Sequence, residues 1–155
     1  MANVTTYLQQ GVQPAVGADK DYVMETELTL ALGATDDVYY ALTIPSGHLV
    51  RNVVCEVVQA AGETATASVG MSSDKIGTEI NDDGFDASVN LNATAGTLTI
   101  GAGGTDTYVT AGGYLNLTPA ATYIGLELTV SATPLGTAGK LKVRALCTDC
   151  TSVLP

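Results

Sequence analysis

Thr137-Ala138-Gly139, followed by Lys140-Leu141-Lys142-Val143-Arg144-Ala145, decides the fold. A turn of small residues runs into strict alternation. Leu141, Val143, Ala145 and Cys147 fall on one side, and Lys140, Lys142 and Arg144 on the other. Successive residues of an extended chain leave opposite faces, so this stretch reads as a half-buried strand. The opening phrase occurs twice more. Thr94-Ala95-Gly96 precedes Thr97-Leu98-Thr99-Ile100, and Thr110-Ala111-Gly112 precedes Gly113-Tyr114-Leu115-Asn116-Leu117. A turn-then-strand phrase used repeatedly implies one strand after another.

The same alternation extends upstream. Leu28, Leu30 and Leu32 alternate with Glu27, Thr29 and Ala31; Val38, Tyr40, Leu42 and Ile44 share a face; Pro45-Ser46-Gly47 makes a tight turn. Phe85, Ala87, Val89 and Leu91 alternate with Asp86, Ser88, Asn90 and Asn92, and Ile124, Leu126, Leu128 and Val130 face the core from a later strand. Leu49 to Val58 is apolar on both faces. Unbroken alternation puts Val50, Val54 and Val58 on one side and Val53, Cys55 and Val57 on the other, as in a central strand or one whose second face meets another subunit. Thr64 to Gly70 reads as a weaker strand, Met71 to Asp83 as a polar loop, and Thr107 to Leu117 as two short strands split at Gly112-Gly113. No window holds a helical stripe. The expectation is an all-β, jelly-roll-like sandwich of about eight to ten short antiparallel strands. Residues 1–20, interrupted by Gly11, Pro14 and Gly17, form an irregular N-terminal arm, and residues 21–155 a single domain.

Composition narrows the function. Trp is absent and Phe occurs once, so the core is aliphatic with Tyr at its margins. Only 14% of the 155 residues are charged. That fits a surface partly covered by other subunits, or one rich in Thr and Ser; both readings stay open. The net charge of -10 repels nucleic acid and anionic membranes, and no stretch is long and apolar enough to span a bilayer. Met1 to Leu8 lacks the basic start and apolar run of a secretory signal, so assembly in a cytoplasm is expected.

Candidate chemistry is sparse. His48 is the sole histidine, follows Gly47, and reads as a surface residue at a turn edge with no nucleophile motif to serve. Cys55, Cys147 and Cys150 form no even disulfide framework. With His48 they make a legal zinc set by count, but the odd offset between His48 and Cys55 puts those two on opposite faces of a regular strand. Asn81-Asp82-Asp83-Gly84-Phe85-Asp86 resembles a calcium-loop fragment without its spacing or distal Glu, and Gly101-Ala102-Gly103-Gly104 lacks the helix of a phosphate-cradling loop. The expectation is therefore no enzyme, no metal and no cofactor. Lys140, Lys142 and Arg144 hold half of the six cations on one strand face. They read as pairing with Asp or Glu on a neighbouring strand, or as a docking stripe.

Three stretches carry a resemblance: Ile44-Pro45-Ser46-Gly47-His48-Leu49-Val50 leading into a Val-rich strand, Asp83-Gly84-Phe85-Asp86-Ala87-Ser88-Val89-Asn90-Leu91, and Thr137 to Leu146. Their order resembles small structural proteins of tailed bacteriophages, in particular capsid decoration (cement) proteins and related head-fibre bases, over residues 28 to 148. The resemblance implies a β-rich homotrimer on the capsid exterior that binds the major capsid protein between capsomers and stabilises the shell. It carries no fixed site motif. An interface is expected at Tyr7, Leu8, Val12 and Val16 of the arm, at Val50, Val54 and Val58, and at Lys140, Lys142 and Arg144. The competing expectation is a carbohydrate- or receptor-binding fibre module, with Tyr39, Tyr108 and Tyr114 exposed around a groove.

Overall fold

A computed structural model of the chain describes residues 20–30, 36–62, 64–75, 79–101, 107–130 and 139–151, and among these lie nine strands and one helical turn. The elements are β1 (Lys20–Leu30), β2 (Val38–Ile44), β3 (His48–Gln59), β4 (Ala65–Ser72), β5 (Glu79–Asn90), β6 (Leu98–Ile100), α1 (Thr107–Thr110), β7 (Tyr114–Leu115), β8 (Thr122–Val130) and β9 (Gly139–Asp149). They form two antiparallel sheets. The first has the order β1-β9-β3-β6, with β7 also on β3; the second has the order β2-β8-β4-β5. Every connection except β4–β5 and β6–β7 passes from one sheet to the other. The two antiparallel sheets give the expected all-β sandwich.

The core lies between the sheets. Leu141, Val143 and Ala145 of β9 enter it from one side, and Ile124, Leu126 and Leu128 of β8 from the other, each buried. Ile44, Val69, Met71, Phe85 and Val89 fill the remaining space. Each fully buried aliphatic or Phe side chain contributes about 1.5–3 kcal/mol, so this aliphatic set is the main source of stability. The alternation read from the sequence is thus obeyed in β1, β8 and β9.

Strand β3 departs from it. Its pairing with β9 shifts register between Val50 and Asn52 and again between Val57 and Gln59. An extra residue in a bulge reverses which side each later side chain takes. Val50 therefore joins Val53, Cys55 and Val57 in the core rather than lying with Val54 and Val58. The expected interface role of Val50 is corrected on that ground: its side chain is fully buried within the core cluster.

Two other expectations are corrected. Met71 and Ser72 belong to β4 and are buried, and β5 begins at Glu79, so both ends of the expected loop from Met71 to Asp83 are strand, while residues 76–78 lie outside the described residues. Its polar residues are accommodated by side chains that bond the chain two residues on. Asn81 Oδ1 accepts from Asp83 N at 3.1 Å, and Asp86 Oδ1 accepts from Ser88 N at 2.9 Å. Such local bonds compete with the ladder, and β5 pairs with β4 through three register shifts. Between Thr107 and Gly113 the chain makes a helical turn instead of a strand. It ends with Gly112 at φ 88, Gly112 N on Val109 O at 3.4 Å and Gly113 N on Tyr108 O at 2.7 Å. That bonding is the Schellman ending, which needs a residue in the left-handed region at this position. The Thr-Ala-Gly phrase thus serves two purposes. Gly96, at φ 91, turns the chain into β6, while Gly112 stops a helix.

Candidate functional site

The outer face of the five-stranded sheet concentrates the exposed chemistry. β9 lies between β1 and β3, and its alternation sends Lys140, Lys142 and Arg144 outward, as the sequence implies. Register decides what they meet. Glu25 and Glu27 of β1 stand opposite Arg144 and Lys142; on the other side, Val54 and Glu56 of β3 stand opposite the same two residues. Arg144 Nε donates to Glu25 Oε2 at 2.7 Å, and its Nη1 and Nη2 both donate to Glu56 Oε1 at 3.2 Å. Lys142 Nζ lies 3.8 Å from Glu25 Oε1. The hydrogen bond from Arg144 holds the Glu25 carboxyl below its usual value, against an opposing effect of desolvation. The centre of this face is therefore an ionic row of alternating sign rather than a bare positive stripe.

Aliphatic side chains flank that row. Val23 of β1 pairs across to Leu146 of β9, Ile100 of β6 pairs to Val54, and Leu98 pairs to Glu56. Val23 is 41% exposed, Leu146 38%, Leu98 55% and Ile100 59%. Large aliphatic side chains exposed beside polar ones are a feature that contact surfaces share. A shallow depression of ≈ 300 Å³ lies between Val23 and Leu146, bordered also by Asp21 and Arg51. There Arg51 Nε donates to Thr148 Oγ1 at 2.6 Å, and Thr148 Oγ1 donates to Asp21 Oδ1 at 2.6 Å. Val54 and Val58 are half-buried. Tyr7, Leu8, Val12 and Val16 lie outside the described residues. The sequence reading missed Val23, Leu98, Ile100 and Leu146, although parity alone assigns Leu146 and Val23 to the side away from the core.

His48 is not a surface residue. It is buried at the start of β3, its Nδ1 hydrogen-bonded to the Tyr22 hydroxyl and its Nε2 3.7 Å from Asp149 Oδ1. The rings of Tyr22 and His48 meet edge to face at 5.5 Å. The early bulge in β3 brings His48 and Cys55 to the same side of the strand, so the offset argument against zinc fails. Even so, no group of three potential ligands exists among the described residues. Burial pushes the thiols of Cys55 and Cys147 up to about 12, which keeps them protonated and poor nucleophiles at neutral pH. Cys150 is also buried, at the foot of β9.

The aromatic groove expected of a sugar-binding module does not form. Tyr108 of α1 is buried, packed 5.0 Å from the Phe85 ring and 5.1 Å from the Tyr114 ring. Tyr39 belongs to β2 in the opposite sheet.

No protein-family model matches the chain, and no curated protein is significantly similar to it in sequence. The fold does have solved counterparts. A chain of the acid-stable capsid of Helicobacter pylori bacteriophage KHP30 is 19% identical with a TM-score of 0.54, covering 86% of this chain and 95% of that one. A chain of the capsid of Ralstonia phage GP4 is 15% identical with a TM-score of 0.60, covering 89% of this chain and 88% of that one. Both likenesses run through nearly the whole of each chain, so it is the complete sandwich that is shared.

Proposed function

We infer that the chain is a virion structural protein that decorates and stabilises the outside of a phage capsid. In this reading it binds the major capsid protein between capsomers and does so as a homotrimer, after assembly in the host cytoplasm. The observation that carries the reading is the outer face of the five-stranded sheet: aliphatic Val23, Leu146, Leu98 and Ile100 around the Glu25–Arg144–Glu56 row. A face of this composition suits contact with protein better than turnover of a substrate. The whole-length likeness to chains of two phage capsids supports the same reading. Val54, Val58, Lys140, Lys142 and Arg144 take part in the contact, together with the arm residues Tyr7, Leu8, Val12 and Val16.

The test is co-sedimentation with empty shells of the major capsid protein from the same virus, beside light scattering of the free chain. The reading expects a symmetric oligomer that sediments with shells, and loss of sedimentation in a Leu98→Asp/Ile100→Asp variant that keeps its thermal midpoint. A monomer without affinity for shells sinks it.

A further inference from the structure

We propose that β1 is an acceptor edge for one added strand: an extended segment of a partner protein that carries Lys or Arg at alternate positions and apolar residues between them. The proposal deepens the virion reading and rests on it for the partner's source, but the edge itself is a property of this chain.

Apart from the two-residue β7, the two sheets end in four edge strands among the described residues. β6 is only three residues long. β2 is interrupted by a register shift between Tyr40 and Leu42, and β5 by three such shifts. Short or bulged edges are ways in which sheets avoid unwanted pairing. β1 has neither protection. It runs for 11 residues in unbroken register with β9, contains no Pro or Gly, and no other strand of the described residues pairs with its far side. Its backbone groups on that side form a ready template for a further strand.

Side chains say what the added strand carries. At the level of Lys142 and Arg144 the charge on the outer face changes sign strand by strand: Glu56 on β3, then Lys142 and Arg144 on β9, then Glu25 and Glu27 on β1, while Arg51 of β3 lies farther along, 3.7 Å from Asp21. The next column that continues the pattern is positive. On the inner side of the same strand, Tyr22, Met24 and Leu28 pack against the core yet remain half-exposed. An added strand would cover them with apolar residues at its alternate positions.

The same chemistry excludes a second copy as the donor. Two β1 strands side by side would set Glu25 and Glu27 against acids of the same kind. All six cations of the chain are Lys20, Arg51, Lys75, Lys140, Lys142 and Arg144, and the only alternating set among them already lies inside the sheet as β9. The first 19 residues hold no Lys or Arg, so the chain's own arm lacks the required charge as well. The donor is a different, basic protein.

A peptide of about nine residues alternating lysine with valine is the probe, and its glutamate–valine counterpart the control. The full chain should bind the lysine peptide about tenfold more tightly than the control, less so as salt rises, with slowed hydrogen exchange in Lys20–Leu30 and not in β5. A Glu27→Lys/Thr29→Lys variant, changed at two exposed positions that leave the Glu25–Arg144 contact intact, should reverse the preference. Equal binding of the two peptides, no binding of the lysine peptide, or protection away from β1 overturns the proposal. Because the probe is a peptide, failure here leaves shell binding standing, and failure to bind shells leaves the peptide result standing.

Discussion

The two flanks of the sandwich are finished in opposite ways. On the flank where β3 faces β5, the chain inserts α1 and closes the gap with Tyr108, whose ring packs at a tilt against both Phe85 and Tyr114. Gly84 of β5 makes room for that ring: a Cβ there would lie 2.2 Å from Tyr108 Cδ2. On the flank of β1, nothing comparable is inserted among the described residues. Tyr22, Met24 and Leu28 stay half-exposed, and the strand is held at its outer face by Glu25 to Arg144. One flank is closed with apolar volume and the other is left as a regular edge with charge beside it. The difference teaches where stability and recognition are separated: substitutions on the closed flank should cost stability, and those on the open flank should alter binding while leaving the fold intact.

The largest effect is expected from Gly84→Val. The new side chain must displace a ring that is itself packed against two others, at a cost of about 3 kcal/mol by urea unfolding. A loss under about 1 kcal/mol would show that Tyr108 swings out freely and that the flank is not closed. On the open flank, Leu28→Ala should cost less, about 1 kcal/mol, because the side chain is only half-buried and solvent fills its place without leaving a cavity. If it costs as much as Gly84→Val, the contrast between the flanks is lost.

Tyr108→Phe should act with the opposite sign. The Tyr108 hydroxyl is buried without a hydrogen-bond partner among the described residues, and burial pushes its phenol up to about 12. Removing an unsatisfied oxygen while keeping the ring should raise stability by up to about 1 kcal/mol, read as a higher urea midpoint at unchanged slope. A loss instead would mean that the hydroxyl is satisfied, for instance by an internal water.

These contrasts explain what could be read from the chain in advance. β9 and β8 were legible because each sends one residue type inward at every second position, without interruption. β3 was not, because a bulge after Val50 reverses the parity, and no residue in Val50-Arg51-Asn52 announces it. The start of β5 was hidden by Asn81 and Asp83, which look like turn residues; here the Asn81 side chain accepts from the Asp83 backbone N–H within a strand. α1 was hidden because a single turn of four residues is too short to show a helical period. On the outer face, pairing of the cations with acids on a neighbouring strand was one of the two readings the sequence offered; which acids they meet was not legible. The acids that neutralise Arg144 come from β1 and β3, remote in sequence, and only strand order brings them to either side. His48 was misread for a similar reason: its partners Tyr22 and Asp149 lie on strands at distant points of the chain.

The smallest effect is the one that separates the flanks by the force that holds them. The Glu25 carboxyl is held below its ordinary value of 4.5 by the hydrogen bond from Arg144. A carboxyl whose folded value is depressed adds stability that is present above the unfolded value and is lost as pH falls through the folded one. Glu25 is solvent-exposed in its surroundings, so screening keeps the contribution small. It is local, however, because the contact joins β1 to β9 and touches nothing at α1. Hydrogen exchange followed downward from about pH 6 should therefore show β1 amides losing protection below about 4.5, ahead of those in α1 and β7, which are held by packing. Arg144→Gln should flatten that dependence in β1 and leave the closed flank unchanged. Simultaneous loss of protection on both flanks would show that the ionic row supports the whole sandwich, and that the open edge is not energetically separate from the rest of the fold.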